Sequence, residues 1–314
     1  MYRGPIDIRT PGDPIRVATA DGPAWVVRRR ADVVAALSSP QLSACPRHAR
    51  GDDYRGYDLP PAFRENIISA EPDDHRRLRR LIAPRMDEAA ARRARPLFRA
   101  AAETTLAELP ERFDLVRDFA GPYVAAATAA WLGLAEPLRE RYLAWAGDLL
   151  RSERGRDTLP AMVALVEDID LALGPMSPGE TSAMTFYLLF VWYEICVNAV
   201  AAALLTGDPD EALRRHTPQT TAFRRFAIED LGDIEQGQTV LLSLAAASAD
   251  SPGGHVAFGH GPHRCPGQAI ALAMMREAIT AGKGGIEVRT VHARWVAGLR
   301  TYGPRDIEGR KRAV

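Results

Sequence analysis

Apolar and polar residues follow two rhythms along this chain, and the helical one covers more of it. Residues 14–29, PIRVATADGPAWVVRR, alternate as strands do around an Asp21-Gly22 step, the pattern of a hairpin. Asp32 stands where it can cap a helix over DVVAALSS, which Pro40 stops. Pro, Gly and charge crowd residues 44–66 and predict a loop. Helical periodicity governs 72–107, with Pro84 and Pro96 expected to divide or kink it. It returns over 123–150 and, after a polar stretch at 151–158, in a further short segment. An apolar helix is predicted over 184–205, ended by Gly207-Asp208-Pro209-Asp210. Strand character resumes in FRRFAIED (223–230) and TVLLSLAAA (239–247), either side of a turn at Gln236-Gly237. A loop rich in Gly, Pro and His over 252–267 leads into a helix, QAIALAMMREAI, and strand-like segments close the chain. The fold class predicted is mainly α with a small β-sheet portion (α+β), as one domain over 1–314.

Composition narrows the function classes. Of 314 residues 46% are hydrophobic and 25% charged, which suits a packed core and excludes disorder. A formal net charge of zero gives no reason to expect nucleic acid or an anionic membrane as partner. The first residues, MYRGPIDIRTPGDP, lack the apolar core of a secretory signal. The longest apolar stretch, 186–205, is interrupted by Glu194 and Asn198 and reads as a buried helix rather than a membrane span. The three cysteines, Cys45, Cys196 and Cys265, form no CxxC pair, so neither a zinc ribbon nor a disulfide framework is expected. Free thiols in a reducing compartment follow, and a cytoplasmic location with them.

The chemistry concentrates in FGHGPHRCPG, Phe258 to Gly267. A cysteine lies in a loop that runs into a helix N-terminus. Glycines at 259, 261 and 267 permit backbone geometries that other residues resist. Unpaired N–H groups and the positive end of the helix dipole favour a thiolate, so a depressed pKa is expected for Cys265. His263 and Arg264 add donors beside it. Such a thiolate could be a nucleophile or a metal ligand; the bland alternative is a structural loop with an incidental cysteine.

This segment resembles the heme-binding loop of the cytochrome P-450 superfamily, F-G-x-G-x-H-x-C-x-G, at Phe258, Gly259, Gly261, His263, Cys265 and Gly267. The resemblance implies heme b as cofactor, Cys265 as axial iron ligand, Phe258 packed near the sulfur, and His263 at a propionate. Other segments resemble the family in the same order along the chain. PDDHRRLRRLI implies His75 and Arg79, one helical turn apart, as propionate partners. FRRFAIED implies Arg225 as a third. Glu211 and Arg214 match E-x-x-R and imply a buried ion-pair network. In isolation, RRLRR is equally well a solvated helix face, and E-x-x-R occurs on any surface helix.

The chain also departs from that pattern. It is short, with trimming expected near 151–184, 205–211 and 250–255. In the central helix, Val191-Trp192-Tyr193-Glu194-Ile195 aligns with A-G-x-[DE]-T, the segment that activates oxygen. Glu194 keeps the acid, Trp192 replaces the glycine, and Ile195 replaces the threonine and cannot relay a proton. Glu194 and Trp192 are therefore the candidate catalytic positions; the alternative for Trp192 is a core aromatic turned away from the heme. The function implied is a heme-thiolate, monooxygenase-like oxidoreductase acting on a small, largely apolar secondary metabolite. Its chemistry would be oxidation or heme-dependent rearrangement, cyclisation or dehydration. The alternative is a degenerate heme-binding or scaffold protein without turnover. The implied partners are a ferredoxin-type electron donor near Arg76, Arg77, Arg80 and Arg264, and a second copy of the chain over surface left by the missing roof.

Overall fold

The computed structural model describes residues 7–19, 22–51, 66–70, 72–151, 158–169, 176–250, 254–288, 294–297 and 301–312. Strands β1 (Ile15–Thr19) and β2 (Gly22–Val27) pair antiparallel, Thr19 opposite Gly22, as the alternation predicted. Helix α1 (Arg30–Ser38) begins two residues before Asp32, which lies in its first turn and is not its cap. Strand β3 (Leu42–Ser43) and a 3-10 turn at Pro46–His48 follow, and most of the predicted loop, 52–65, lies outside the described residues.

Helices α2 (Pro72–Met86) and α3 (Glu88–Glu108) contain Pro84 and Pro96 in their interiors, so neither proline makes the break. The break falls at Asp87, whose carboxylate accepts from the Ala90 backbone N–H at 2.7 Å and caps α3. A side-chain cap satisfies an orphan amide at a new helix start, whereas a proline only removes one bond from a helix already held by its packing. Strand β4 (Arg112–Asp114) leads through a π-helical turn at Leu115–Ala120 into α4 (Gly121–Leu132), then α5 (Leu138–Arg151) and α6 (Leu159–Glu167).

The apolar run is longer than its periodicity indicated. Helix α7 (Pro178–Phe186) starts at a capping box made by Ser177 and Glu180. It continues through a π-helical stretch at Tyr187–Val191 into α8 (Trp192–Thr206), which Gly207 ends with φ +74°. This Pro178–Thr206 rod is the one described helix long and apolar enough to cross a membrane, yet 61% of its most apolar window is buried inside the protein. That burial marks a core helix. Only Gly207 and Asp208 separate α8 from α9 (Pro209–Arg215).

Strands β5 (Arg225–Ala227) and β6 (Thr239–Leu242) are shorter than predicted. The tail of TVLLSLAAA is helix α10 (Leu244–Ala249), because the Ser243 hydroxyl accepts from the Ala246 N–H and turns the chain. Helix α11 (Gln268–Gly285) and strands β7 (Ile286–Val288), β8 (Arg294–Ala297), β9 (Tyr302–Arg305) and β10 (Glu308–Lys311) complete the chain. The mainly helical class with small sheets is as predicted.

The described residues cluster into two compact units. One, from Met1–Arg80, Leu213–Cys265 and Ala297–Thr301, is built on a five-stranded sheet ordered β1-β2-β6-β5-β3. The parallel pairing of β2 with β6 buries Val27, Val240 and Leu242 against Val33 and Leu37 of α1 and Leu244 of α10. The other unit, Leu81–Ala212, Pro266–Val296 and Tyr302–Val314, packs α3, α4, α8 and α11 together beside the sheet β4-β10-β7. Inside it the carboxylate of Glu277 is 1% exposed and bound by Arg95 at 2.7 Å and Arg99 at 2.9 Å, which supplies the hydrogen bonds a buried charge needs.

Asn198 of α8 is clamped in the same unit. Its Oδ1 accepts from Arg305 at 2.8 Å, and a Cβ on Gly303 would stand 2.0 Å from that oxygen. Replacing Gly303 by Ala should therefore cost about 1–3 kcal/mol through overpacking. Urea unfolding reads this as a lower midpoint at unchanged slope; an equal midpoint would show that Asn198 moves aside freely.

Candidate functional site

The cysteine loop is built by glycine geometry and three backbone bonds. Gly259 (φ +71°) and Gly261 (φ +68°) take left-handed conformations. Gly259 N–H donates to Val256 at 2.8 Å, Arg264 N–H to Gly261 at 3.1 Å, and Cys265 N–H to Phe258 at 2.8 Å. Gly261 carries a second constraint that sequence reasoning missed. A Cβ there would lie 2.5 Å from Ser38 Oγ and 3.0 Å from the Leu37 carbonyl, so the loop is pressed against the end of α1. The result is a half-buried, unoxidised Cys265 on a rigid turn.

The electrostatic surroundings of Cys265 differ from those expected. Helix α11 begins at Gln268 with Gly267 as its cap, two residues beyond Cys265, so the sulfur does not sit in the first turn of the helix. The cation that faces it is Arg79. Negative charge on Cys265 raises the Arg79 pKa, although burial lowers it by more. Arg79 also donates to the backbone carbonyl of Arg264, tying α2 to the loop.

Around this loop the first unit brings together four basic groups from three distant segments. His75 on α2 is 4% exposed and Arg225 on β5 is 3% exposed. The His75 and His263 rings lie 3.9 Å apart between centroids. Burial, then Arg79, Arg225 and Arg76, push His75 down to about 4. Burial, then Arg225, His75 and Arg79, push His263 down to about 3. Burial alone lowers Arg225 to about 10. The groups depress one another, and no carboxylate figures among their influences. His75 and Arg225 are buried and Arg79 and His263 half-buried, and a buried cation is costly until an anion joins it.

This is the environment that two propionates would complete, and the single thiolate suits a metal whose other ligands come from a ring. Among the described residues, no group of three His, Cys, Asp or Glu could hold a metal by itself. The residues present therefore fit a porphyrin. His75, Arg79, Arg225, His263 and Cys265 gather as the sequence indicated, and Phe258 and Gly259 lie in the same turn. Arg76 and Arg77 pair with Asp73 and Asp74 on the exposed face of α2, which partly neutralises the surface expected to meet an electron donor. Glu211 and Arg214 are half-buried on α9, rather than fully enclosed as implied.

In the second unit, Trp192 and Glu194 are both half-buried on α8. The Trp192 indole Nε1–H donates to Thr128 Oγ1 of α4 at 3.2 Å, and its ring lies 5.4 Å from that of Trp131. Gly267 is where the ring seats, because a Cβ there would come within 2.7 Å of Trp192 Cζ3. Thr128 was also missed from sequence. Its only signal was one hydroxyl in an alanine-rich helix, GPYVAAATAAWL.

Comparison with known proteins agrees with the geometry. No family model matches the chain. It is 29% identical over 330 residues to the vitamin D(3) 25-hydroxylase of Pseudonocardia autotrophica, covering 85% of this chain and 82% of that one. The matched stretch is longer than this whole chain, so the relative has segments that this one lacks. It is 27% identical to the mycinamicin IV hydroxylase/epoxidase of Micromonospora griseorubida, covering 90% of this chain and 88% of the relative. Among solved structures, the ligand-free P450 monooxygenase TamI superposes with a TM-score of 0.79 at 24% identity, over 95% of this chain and 88% of that one. Fold, cysteine loop and relatives concur: the chain is similar over most of its length to bacterial cytochrome P-450 proteins, at 25–29% identity to the curated ones.

Proposed function

We propose that the protein is a heme-thiolate oxidoreductase acting on a small, largely apolar substrate of secondary metabolism. The observation that carries this reading is the uncompensated cluster of His75, Arg79, Arg225 and His263 beside the Cys265 loop. A scaffold that binds no cofactor gains nothing from gathering four bases, two of them buried, with no carboxylate among them. The relatives are hydroxylases and monooxygenases by name, which supports oxidative chemistry on such substrates.

Cys265 would hold the iron, the four basic groups would hold the two propionates, and Phe258 and Gly259 would shape the turn around the sulfur. Heme b, when bound, supplies the oxidising chemistry that no side chain can. The chain's own contribution on the other side is altered from the common pattern. Glu194 offers a carboxylate that can hold a proton, and Ile195 offers no hydroxyl to pass it on. Trp192 puts an indole where a glycine is usual. These three residues favour a reaction with little dependence on relayed protons, such as rearrangement, cyclisation or dehydration, within an otherwise oxidative family. Where the reaction is an oxygenation, electrons would come from a ferredoxin-type donor at the α2 face, in the cytoplasm, whereas a rearrangement or dehydration needs none; the chain is read as one working domain.

The test is the ferrous carbon monoxide spectrum of the protein loaded with hemin. A thiolate-type band supports the proposal. Protein that stays colourless supports a scaffold, and an iron held by nitrogen overturns the assignment of Cys265. The companion prediction concerns Trp192. Trp192→Gly should raise the carbon monoxide association rate about tenfold or more by flash photolysis, since removing an indole opens space that a packed interior cannot refill. An unchanged rate would mean that the indole stands clear of the ligand's path.

A further inference from the structure

Helix α3 packs along α11 inside the second unit, and a recess of about 540 Å³ opens where they meet. Arg92, Arg95, Arg99 and Glu103 of α3 line it together with the buried Glu277 of α11. Spacings of three and four residues put the α3 members on one helical face. Arg95 spends its Nε on Glu277 Oε1 at 2.7 Å, and Arg99 holds Oε2 through Nε and Nη2 at 2.9 Å. Both arginine side chains are nevertheless more than half exposed, and neither has another partner residue among the described ones. Arg92 and Glu103 have no partner among the described residues at all. One buried carboxylate therefore fixes two guanidinium groups, and three cations share the recess with two carboxylates.

From this arrangement we propose that the recess binds a phosphate monoester: Arg95 and Arg99, locked by Glu277, clamp the phosphoryl group together with Arg92, and the wall formed by Pro96 and Ala100 takes the organic part. A phosphate monoester carries about −1.5 to −2 charge at neutral pH and offers three strong acceptor oxygens, which matches three guanidinium groups better than a carboxylate does. Guanidinium is also the side-chain group whose fork fits phosphate oxygens in pairs. Arginines already held by a buried anion lose less freedom on binding than mobile ones, so the clamp is prepared in advance. The volume falls within the range of about 300–1,000 Å³ usual for small organic ligands, and a bare phosphate would leave the apolar wall uncovered. The site lies wholly within the second unit and stands whether or not the heme-thiolate reading holds.

Calorimetric titration of the full chain with phenyl phosphate, inorganic phosphate and phenol tests it. Phenyl phosphate should bind one per chain with a Kd of about 1 mM or below at low salt. Inorganic phosphate should bind at least about threefold more weakly, and phenol should not bind at this site. Arg92→Gln removes a cation that holds no part of the fold and should weaken phenyl phosphate about fivefold, the low end for a charged hydrogen bond at an exposed site. Arg95→Lys keeps a charge beside Glu277 but removes the fork, and should weaken it about threefold or more. Arg93→Gln takes the same charge from the same helix outside the recess and should leave the affinity in place. No binding of phenyl phosphate, parental affinity in Arg92→Gln or Arg95→Lys, or an equal loss in Arg93→Gln overturns the proposal. Equal affinity for inorganic phosphate overturns the monoester and assigns the clamp to the free ion.

Discussion

Cys265→Ser should abolish the thiolate-type ferrous carbon monoxide band while leaving hemin bound. The two halves of that expectation have separate causes. The backbone N–H of Cys265 donates to Phe258 at 2.8 Å and helps to build the loop, and serine keeps that N–H. The left-handed turns at Gly259 and Gly261 are likewise untouched. What serine lacks is an accessible anion, since an alcohol ionises far less readily than a thiol. The iron therefore loses its anionic ligand, and the basic cluster still holds the propionates. Hemin affinity should fall about tenfold or more. Cys196→Ser, at a buried position on α8, serves as the control and should leave the band in place. An unmoved band in Cys265→Ser removes Cys265 from the ligand role.

Arg225→Met should act in opposite directions on the two forms of the protein. Without hemin, Arg225 is a buried guanidinium whose pKa burial has dragged to about 10, facing two imidazoles that it depresses in turn. Replacing an uncompensated buried charge by an apolar chain of similar length stabilises, by about 1–4 kcal/mol in comparable cases. Part of that gain is offset, because Arg225 Nη1 donates to the Phe223 and Arg224 carbonyls at 2.9 and 3.2 Å. The hemin-free variant should accordingly melt at a higher temperature than the parent. Hemin binding should weaken at least about 30-fold, since truncating one member of a buried charge pair costs about 2–5 kcal/mol. Calorimetry of the hemin-free proteins and hemin titration check the two signs separately. A hemin-free variant that melts lower would show that Arg225 is held by its own fold and is not waiting for an anion.

Much of this site could be read along the chain. The loop residues Phe258 to Gly267 are contiguous, and glycine spacing there reports backbone geometry directly. His75 and Arg79 could be paired because a helix places residues four apart on one face. Arg225 could be named only through the resemblance of its strand, since nothing local distinguishes it from Arg224. Local periodicity also located the helices, but it misplaced several ends. Asp87 and Ser243 decided two of them by capping, and Pro84 and Pro96 decided none.

By itself, the sequence determined the helical class, the hairpin and the cysteine turn, because each depends on neighbours within a few residues. Tertiary structure alone decided that four bases from three segments, two of them buried, gather with no carboxylate among their influences, and that the Trp192 ring seats against Gly267. Those facts join residues separated by tens of positions or more. Burial and charge repulsion act through space, and no pattern of hydrophobic and polar letters records which distant side chains will meet.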